Sequence, residues 1–207
     1  MKRTIEEHAD RFSDIASDYD DSQDSEEYRA CVSLVVEHAR EALRASDDRV
    51  VADLGTGTGA IALALAEDAD RVAGRDISDG MLAKAREKAA ERGLDVVEFG
   101  EGRFRDPNVD AADVVVVSNF AMHHLSDEEK REAIAAIADL DPRTFVLGDV
   151  MFFGTPDPDE PFYSPEVDDP STVGHLADAL TDEGFALTAV ERVHDQVGVL
   201  VAERRDD

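Results

Sequence analysis

A glycine-rich turn at the end of an apolar strand constrains this chain more than any other feature. Residues 50–54 read Val-Val-Ala-Asp-Leu, and the next six read Gly-Thr-Gly-Thr-Gly-Ala. A short apolar run that ends in such a turn and reopens on small helix-forming residues predicts strand, tight turn, helix. Gly55 permits the turn straight off the strand, and Gly57 lets a ligand approach the backbone with no Cβ in the way. The helix expected from Ala60 to Glu67 then presents its unpaired N–H groups toward that ligand.

The alternation continues down the chain. Arg71 to Asp76 reads as a second strand, and Ser78 caps a helix running to Arg92 that Gly93 is placed to stop. Val96 to Phe99 reads as a third strand and Val114 to Val117 as a fully buried fourth. Ser126-Asp127-Glu128-Glu129 has capping-box form and opens a helix through Ala138. Thr144 to Leu147 is the fifth strand. Gly154 to Pro170 holds five of the seven prolines and reads as a surface loop or lid. A helix from Ser171 to Glu183 is closed by Gly184, and Phe185–Val193 with Val197–Ala202 suit an antiparallel hairpin at a sheet edge. Upstream, helical patterns cover about 4–17 and 25–45, the second with Tyr28, Cys31, Val35 and Ala39 on one apolar face. The expectation is one α/β domain spanning residues 1–207, built on a Rossmann-like, doubly wound, seven-stranded and mostly parallel sheet. Within it, 1–45 form an N-terminal helical cap, 49–150 the binding core and 151–170 the loop. Residues 171–207 supply a helix and the C-terminal antiparallel hairpin.

Charge narrows the partners. Lys and Arg number 21 against 49 Asp and Glu, a formal net charge of −28 spread along the whole chain. Such a surface repels polyanions, so nucleic acid is not an expected partner. The pattern resembles proteins of salt-loving organisms, in which carboxylates hold water and molar salt screens their repulsion. No apolar run approaches the length of a membrane span, and the N-terminus lacks the apolar stretch of a signal peptide. The lone cysteine, Cys31, excludes an internal disulfide framework and a cysteine-based zinc site. A soluble cytoplasmic monomer or homodimer acting on a small molecule is expected.

Two carboxylates carry the ligand argument. With Ala60, the glycine turn also fits the dinucleotide pattern G-x-G-x-x-G/A. Asp53, two residues before the first glycine, argues against a pyrophosphate there and for a cationic ligand such as a sulfonium with an amino group. Asp76 ends the second strand, 23 residues after Asp53. A carboxylate at that place can accept hydrogen bonds from both hydroxyls of a ribose. NAD and S-adenosylmethionine both contain one, and an acid capping the helix at Ser78 explains Asp76 as well.

Four segments then resemble the class I S-adenosylmethionine-dependent methyltransferases, in order and at the right intervals. They are Arg-Phe-Ser-Asp-Ile-Ala-Ser-Asp-Tyr-Asp at 11–20, Asp-Leu-Gly-Thr-Gly-Thr-Gly at 53–59, Arg-Asp-Ile-Ser-Asp-Gly-Met-Leu at 75–82, and Ser-Asn-Phe-Ala-Met-His-His-Leu-Ser-Asp-Glu-Glu-Lys at 118–130. The likeness is greatest to uncharacterised methyltransferases with a His-His-Leu segment after strand four. The resemblance implies that S-adenosyl-L-methionine is the cofactor. It implies that Asp53, Gly55 and Gly57, with Thr56 between them, hold its methionine part. Asp76 would hold the ribose, and Ile77 would lie against the adenine, with Met81 nearby. Ser118 and Asn119 would face the amino-acid end, and Tyr19 would close over the cofactor. The turn after strand three, Gly102-Arg103-Phe104, departs from the family by placing an arginine where an acid usually meets the adenine amino group. Either Glu101 replaces that acid, or backbone and stacking read the adenine alone.

The adjacent pair His123 and His124 suggests a metal or a base. Neighbouring positions point in different directions, and no carboxylate or third histidine completes a recognisable ligand set, so no metal is expected. A base is needed only if the acceptor keeps its proton, and the candidates are His123 and Tyr19. Phe152, Phe153, Phe162 and Tyr163 would form an apolar substrate wall or anchor the loop. Two other readings stay open: an NAD-dependent oxidoreductase, and a cofactor-binding module without catalysis.

Overall fold

The computed structural model describes residues 4–23, 25–110, 114–156 and 162–205, without the side chains of 21 and 22. Its core elements are β1 (Val50–Leu54), α4 (Ala60–Leu65), β2 (Arg71–Asp76), α5 (Asp79–Arg92), β3 (Val97–Glu101), β4 (Val115–Asn119), α6 (Asp127–Asp139) and β5 (Thr144–Phe152). They are preceded by α1 (Ile5–Ile15), α2 (Tyr19–Ser22) and α3 (Glu26–Arg44). They are followed by β6 (Ser171–Thr172), α7 (Val173–Asp182), β7 (Phe185–His194) and β8 (Val197–Arg204).

The sheet runs β3-β2-β1-β4-β5-β8-β7. All pairs from β3 to β5 are parallel, and β5–β8 and β7–β8 are antiparallel. This is the doubly wound architecture with a terminal hairpin that the alternation implies, with one addition. Ser171–Thr172 forms an eighth, two-residue strand against Met151 and Phe152 before the helix begins. β5 also outruns its predicted end at Leu147, because β8 pairs with it as far as Val150↔Val197. The polar Asp149 sits buried inside it.

Alternation along the strands feeds a core on each face. Val51, Val115, Val117 and Val146 pack beneath α3, α4 and α5, while Ala52, Leu54, Val116 and Leu147 pack against α6 and α7. Val114 to Val117 are each fully buried, as expected of a central strand covered on both sides. Helix ends follow the local chemistry. Ser78 Oγ accepts the Met81 N–H, Gly93 closes α5 in the left-handed region, and Ser126 with Glu129 forms the capping box of α6.

Strand order reverses between β1 and β4, each leading to an opposite side of the sheet. The carboxyl ends of these two strands therefore diverge into a crevice, where ligands of open α/β sheets bind. The helix α1 roofs it. Ser13 Oγ lies 2.9 Å from Ser78 Oγ and accepts the Gly80 N–H at 3.2 Å, fixing α1 to the start of α5. Among the described residues no helix is long and apolar enough to cross a membrane.

Candidate cofactor and acceptor pocket

The floor of the crevice is the glycine turn. Gly55 has φ +72°, and a Cβ there would stand 2.4 Å from the Ala121 Cβ, so only glycine fits. Gly57, at φ +53°, would direct a Cβ into open space, with nothing within 4 Å. The first glycine makes the turn, and the second keeps the pocket clear.

Asp53 is 1% exposed beneath this turn. Its Oδ2 accepts the Thr56 hydroxyl at 2.6 Å and the Ala62 N–H at 3.1 Å. Burial raises its carboxyl to about 7, against the lowering effect of those two bonds. Asp76 crosses from the neighbouring strand. Its Oδ2 accepts the Gly57 N–H at 2.8 Å and its Oδ1 the Ser78 N–H at 2.9 Å. Burial raises this carboxyl as well. Each oxygen holds one backbone bond and keeps further acceptor capacity for a ligand. Asp76 thus supports the helix start and borders the pocket at once, so the capping and ribose readings describe the same side chain.

The pocket gathers most positions singled out in the sequence. Asp53, Gly55, Thr56 and Gly57 form its floor, and Asp76, Ile77 and Met81 one wall. Gly102, Arg103 and Phe104 form the next wall, and Asn119 and Tyr19 also border it. Two positions fall elsewhere. Ser118 is fully buried within β4, on the face opposite Asn119, because neighbouring strand residues point to opposite sides. Asn119 Oδ1 meets Cys31 Sγ at 3.3 Å on the α3 side. His123 is the second correction. It is buried with Nδ1 2.6 Å from Asp149 Oδ1, and its neighbour His124 borders the pocket.

Two open alternatives narrow, and one candidate base changes. Glu101 is exposed and does not border the pocket, so it cannot stand in for the missing adenine acid. Tyr19 is pushed up to about 12 by burial and by the charges of Asp76 and Asp20, so its hydroxyl stays protonated and is no base at neutral pH. None of Phe152, Phe153, Phe162 and Tyr163 reaches the pocket. Phe162 packs behind Phe120, 6.3 Å between centroids, and Phe152 against Tyr163 at 5.6 Å, so these rings anchor the loop.

The surroundings of the pocket also contain residues to which the sequence reading gave no role in the site. His8 and Phe12 of α1 lie 5.4 and 5.3 Å from the His124 ring, centroid to centroid. Asp20 accepts the Thr58 hydroxyl at 2.6 Å and pairs with Lys88, tying the roof to the glycine turn. Tyr28 borders the pocket from α3. Asp168, from the proline-rich segment, stands 2.7 Å from His124 Nδ1. The sequence offers no carboxylate to complete a set with the histidine pair, and the structure brings one from 44 residues away. Burial and the adjacent His123 lower His124 to about 4, so its ring is neutral at neutral pH.

A parallel sheet with an antiparallel hairpin, crossed at its switch point by a glycine turn between two acids, seats a ligand over the carboxyl ends of β1 and β4. Residues 51–140 match the family profile described as methyltransferase domain. An uncharacterized methyltransferase of Geobacillus sp. strain WCH70 is 33% identical over 87% of this chain and 80% of its own. The uncharacterized methyltransferase YrrT of Bacillus subtilis strain 168 is 32% identical over 59% of this chain and 57% of its own. The chain belongs to the S-adenosylmethionine-dependent methyltransferases. Solved structures share the fold. The DhpI complex with S-adenosylhomocysteine has a TM-score of 0.71 at 24% identity, covering 97% of this chain and 96% of that one. The [4+2]-cyclase SpnF has a TM-score of 0.77 at 17% identity, covering 98% and 97%. Magnesium protoporphyrin IX methyltransferase of Synechocystis PCC 6803 has 0.66 at 20%, covering 86% and 81%.

Proposed function

We propose that this chain transfers the methyl group of S-adenosylmethionine to a small-molecule acceptor bound beneath α1. The observation that carries the reading is the pair Asp53 and Asp76 on either side of the open backbone at Gly57. A buried acid beside a half-buried one at this spot suits a ligand with a cationic amino-acid end and ribose hydroxyls. A pyrophosphate there would meet repulsion of about 4 kcal/mol per charge pair at 4 Å and an effective dielectric of 20.

In this reading the turn Asp53–Gly57 holds the methionine part, with Asn119 and Tyr19 at its amino-acid end. Asp76 takes the ribose hydroxyls. Ile77, Met81 and the backbone of Gly102–Phe104 enclose the adenine by apolar contact, since Arg103 cannot accept a proton from its amino group. When bound, the sulfonium supplies an activated methyl group. The protein's part is to align the acceptor and exclude water. Phe12, His8 and His124 are placed to do this from the roof.

A small acceptor is supported by the roofed, partly aromatic pocket and by the acidity of the whole chain. Incubation with methyl-labelled S-adenosylmethionine and a fractionated cell extract tests it. Label is expected in low-mass products, and label found only in protein or nucleic acid would contradict the reading.

A further inference from the structure

We infer that His123, His124 and Asp168 bind one divalent transition-metal ion beside the pocket that His124 borders, with an open coordination position toward the acceptor. One ligand atom from each of the three lies within 4.8 Å of the others. Zinc-like ions bind nitrogen and oxygen at about 2.0–2.2 Å, which places the ligands of one ion roughly 3–3.5 Å apart. Small side-chain rotations cover the difference.

Two features show a prepared ligand set. The first is Asp149, 2% exposed, whose Oδ1 stands 2.6 Å from His123 Nδ1 while its Oδ2 accepts the His123 N–H at 3.0 Å. A carboxylate on one ring nitrogen fixes the proton there and leaves Nε2 as the donor pair for a metal, the usual arrangement around metal-bound histidine. The second is how Asp168 arrives. The segment that carries it is fixed to the histidine turn by Asp169 N–H to the His123 carbonyl at 2.7 Å. The buried Lys130 ammonium also donates to the Asp169 carbonyl. The carboxylate is thus held beside the pair independently of its own bond to His124.

Two histidines and one carboxylate leave a fourth position open, the pattern of catalytic sites and not of structural ones. The ion would replace the proton between His124 Nδ1 and Asp168 Oδ1, that proton passing to His124 Nε2. A hydroxyl or thiol acceptor bound at the open position would lose its proton more readily and attack as the anion. This supplies the activation that Tyr19 cannot. The ligand set stands apart from the cofactor, and only the role given to the ion rests on methyl transfer.

Cobalt(II) is the probe, titrated into chelator-stripped protein while visible absorption is followed. One saturable band at one equivalent is expected, with a Kd of about 10 µM or tighter and bleaching by zinc. Asp168→Asn and His123→Gln should each raise the Kd at least about ten-fold. His38→Ala, on α3 away from the cluster, should not. If His123→Gln fails to fold, Asp168→Asn carries the test alone, since it keeps the side chain's shape. Absence of a saturable band, or unchanged affinity in Asp168→Asn, would overturn the inference. S-adenosylhomocysteine calorimetry on the same samples separates the two ideas. Retained nucleoside binding without cobalt binding removes the metal alone.

Discussion

The floor and the roof of the pocket are built by different means. The floor is a backbone structure: Gly55 and Thr56 donate to the Arg75 carbonyl, and Asp53 and Asp76 accept from main-chain N–H groups within the same two strand–helix turns. The roof is held by side chains that meet across long stretches of chain, as in Ser13 with Ser78, Asp20 with Thr58, and His124 with Asp168. Backbone geometry tolerates little change, whereas a side-chain contact can be lost one bond at a time. Substitutions in the floor should therefore affect folding and cofactor together, and those in the roof mainly the acceptor and closure.

The largest effect is expected at the turn itself. Gly55→Ala combines a left-handed φ with a 2.4 Å clash and should destabilise the protein by about 2–5 kcal/mol. Gly57→Ala has the backbone cost without the clash and should lose only about 1–2 kcal/mol while weakening cofactor binding. Denaturant melts of the two variants compare them, and equal losses would mean the turn is not packed as described.

Asp76→Ala should weaken S-adenosylhomocysteine at least about ten-fold, since charge-assisted hydrogen bonds are worth roughly 1.5–3 kcal/mol each. It should also cost about 1–2 kcal/mol of stability, because the Gly57 and Ser78 N–H groups lose their acceptor. Calorimetry alongside a thermal melt reads both. Unchanged affinity with a lowered melt would make Asp76 a structural acid only.

The floor should also respond to pH through Asp53. Its folded value near 7 lies above the ordinary aspartate value of 3.8, so its contribution to stability is full below about 3.8 and lost as pH rises through 7. Relative to Asp53→Asn, the wild type should lose about 2–4 kcal/mol between pH 4 and 8. A parallel pH dependence in both proteins would contradict the burial of this charge. Over the same range cofactor affinity should rise as the carboxylate forms, if it faces a cationic ligand.

The contrast between floor and roof is also the contrast between what the chain reveals locally and what it conceals. The turn at 53–59, the Ser78 cap and the strand at 71–76 are written in consecutive residues, so their periodicity and caps identify them directly. The side from which the histidine pair meets the pocket is not written locally. A single-turn helix at Met122–His124 rotates His123 onto Asp149 and leaves His124 at the pocket, and the sequence holds no sign of that rotation. Asp168 lies in a proline-rich segment whose path depends on Lys130 and on backbone bonds to residue 123. Ser118 escapes a local reading for a related reason. The fourth strand reads as ending at Val117, whereas β4 continues to Asn119, so the alternation of a strand also places Ser118 and Asn119 on opposite faces.

The smallest expected effect on the contrast comes from salt. Both regions share a chain of net charge −28, so raising potassium chloride from 0.1 to 2 M should increase the melting temperature of the wild type and of Asp76→Ala by similar amounts. A flat or falling melt would remove the halophilic interpretation of the acidity without touching the site.

The central claim, that the buried Asp53 and the half-buried Asp76 around Gly57 select a cationic nucleoside, is tested most directly by titrating S-adenosylhomocysteine and NAD separately into the purified protein by calorimetry. S-adenosylhomocysteine is expected to bind in the low-micromolar range, about −8 kcal/mol, with no measurable heat from NAD. Saturable binding of NAD with none of S-adenosylhomocysteine would contradict it.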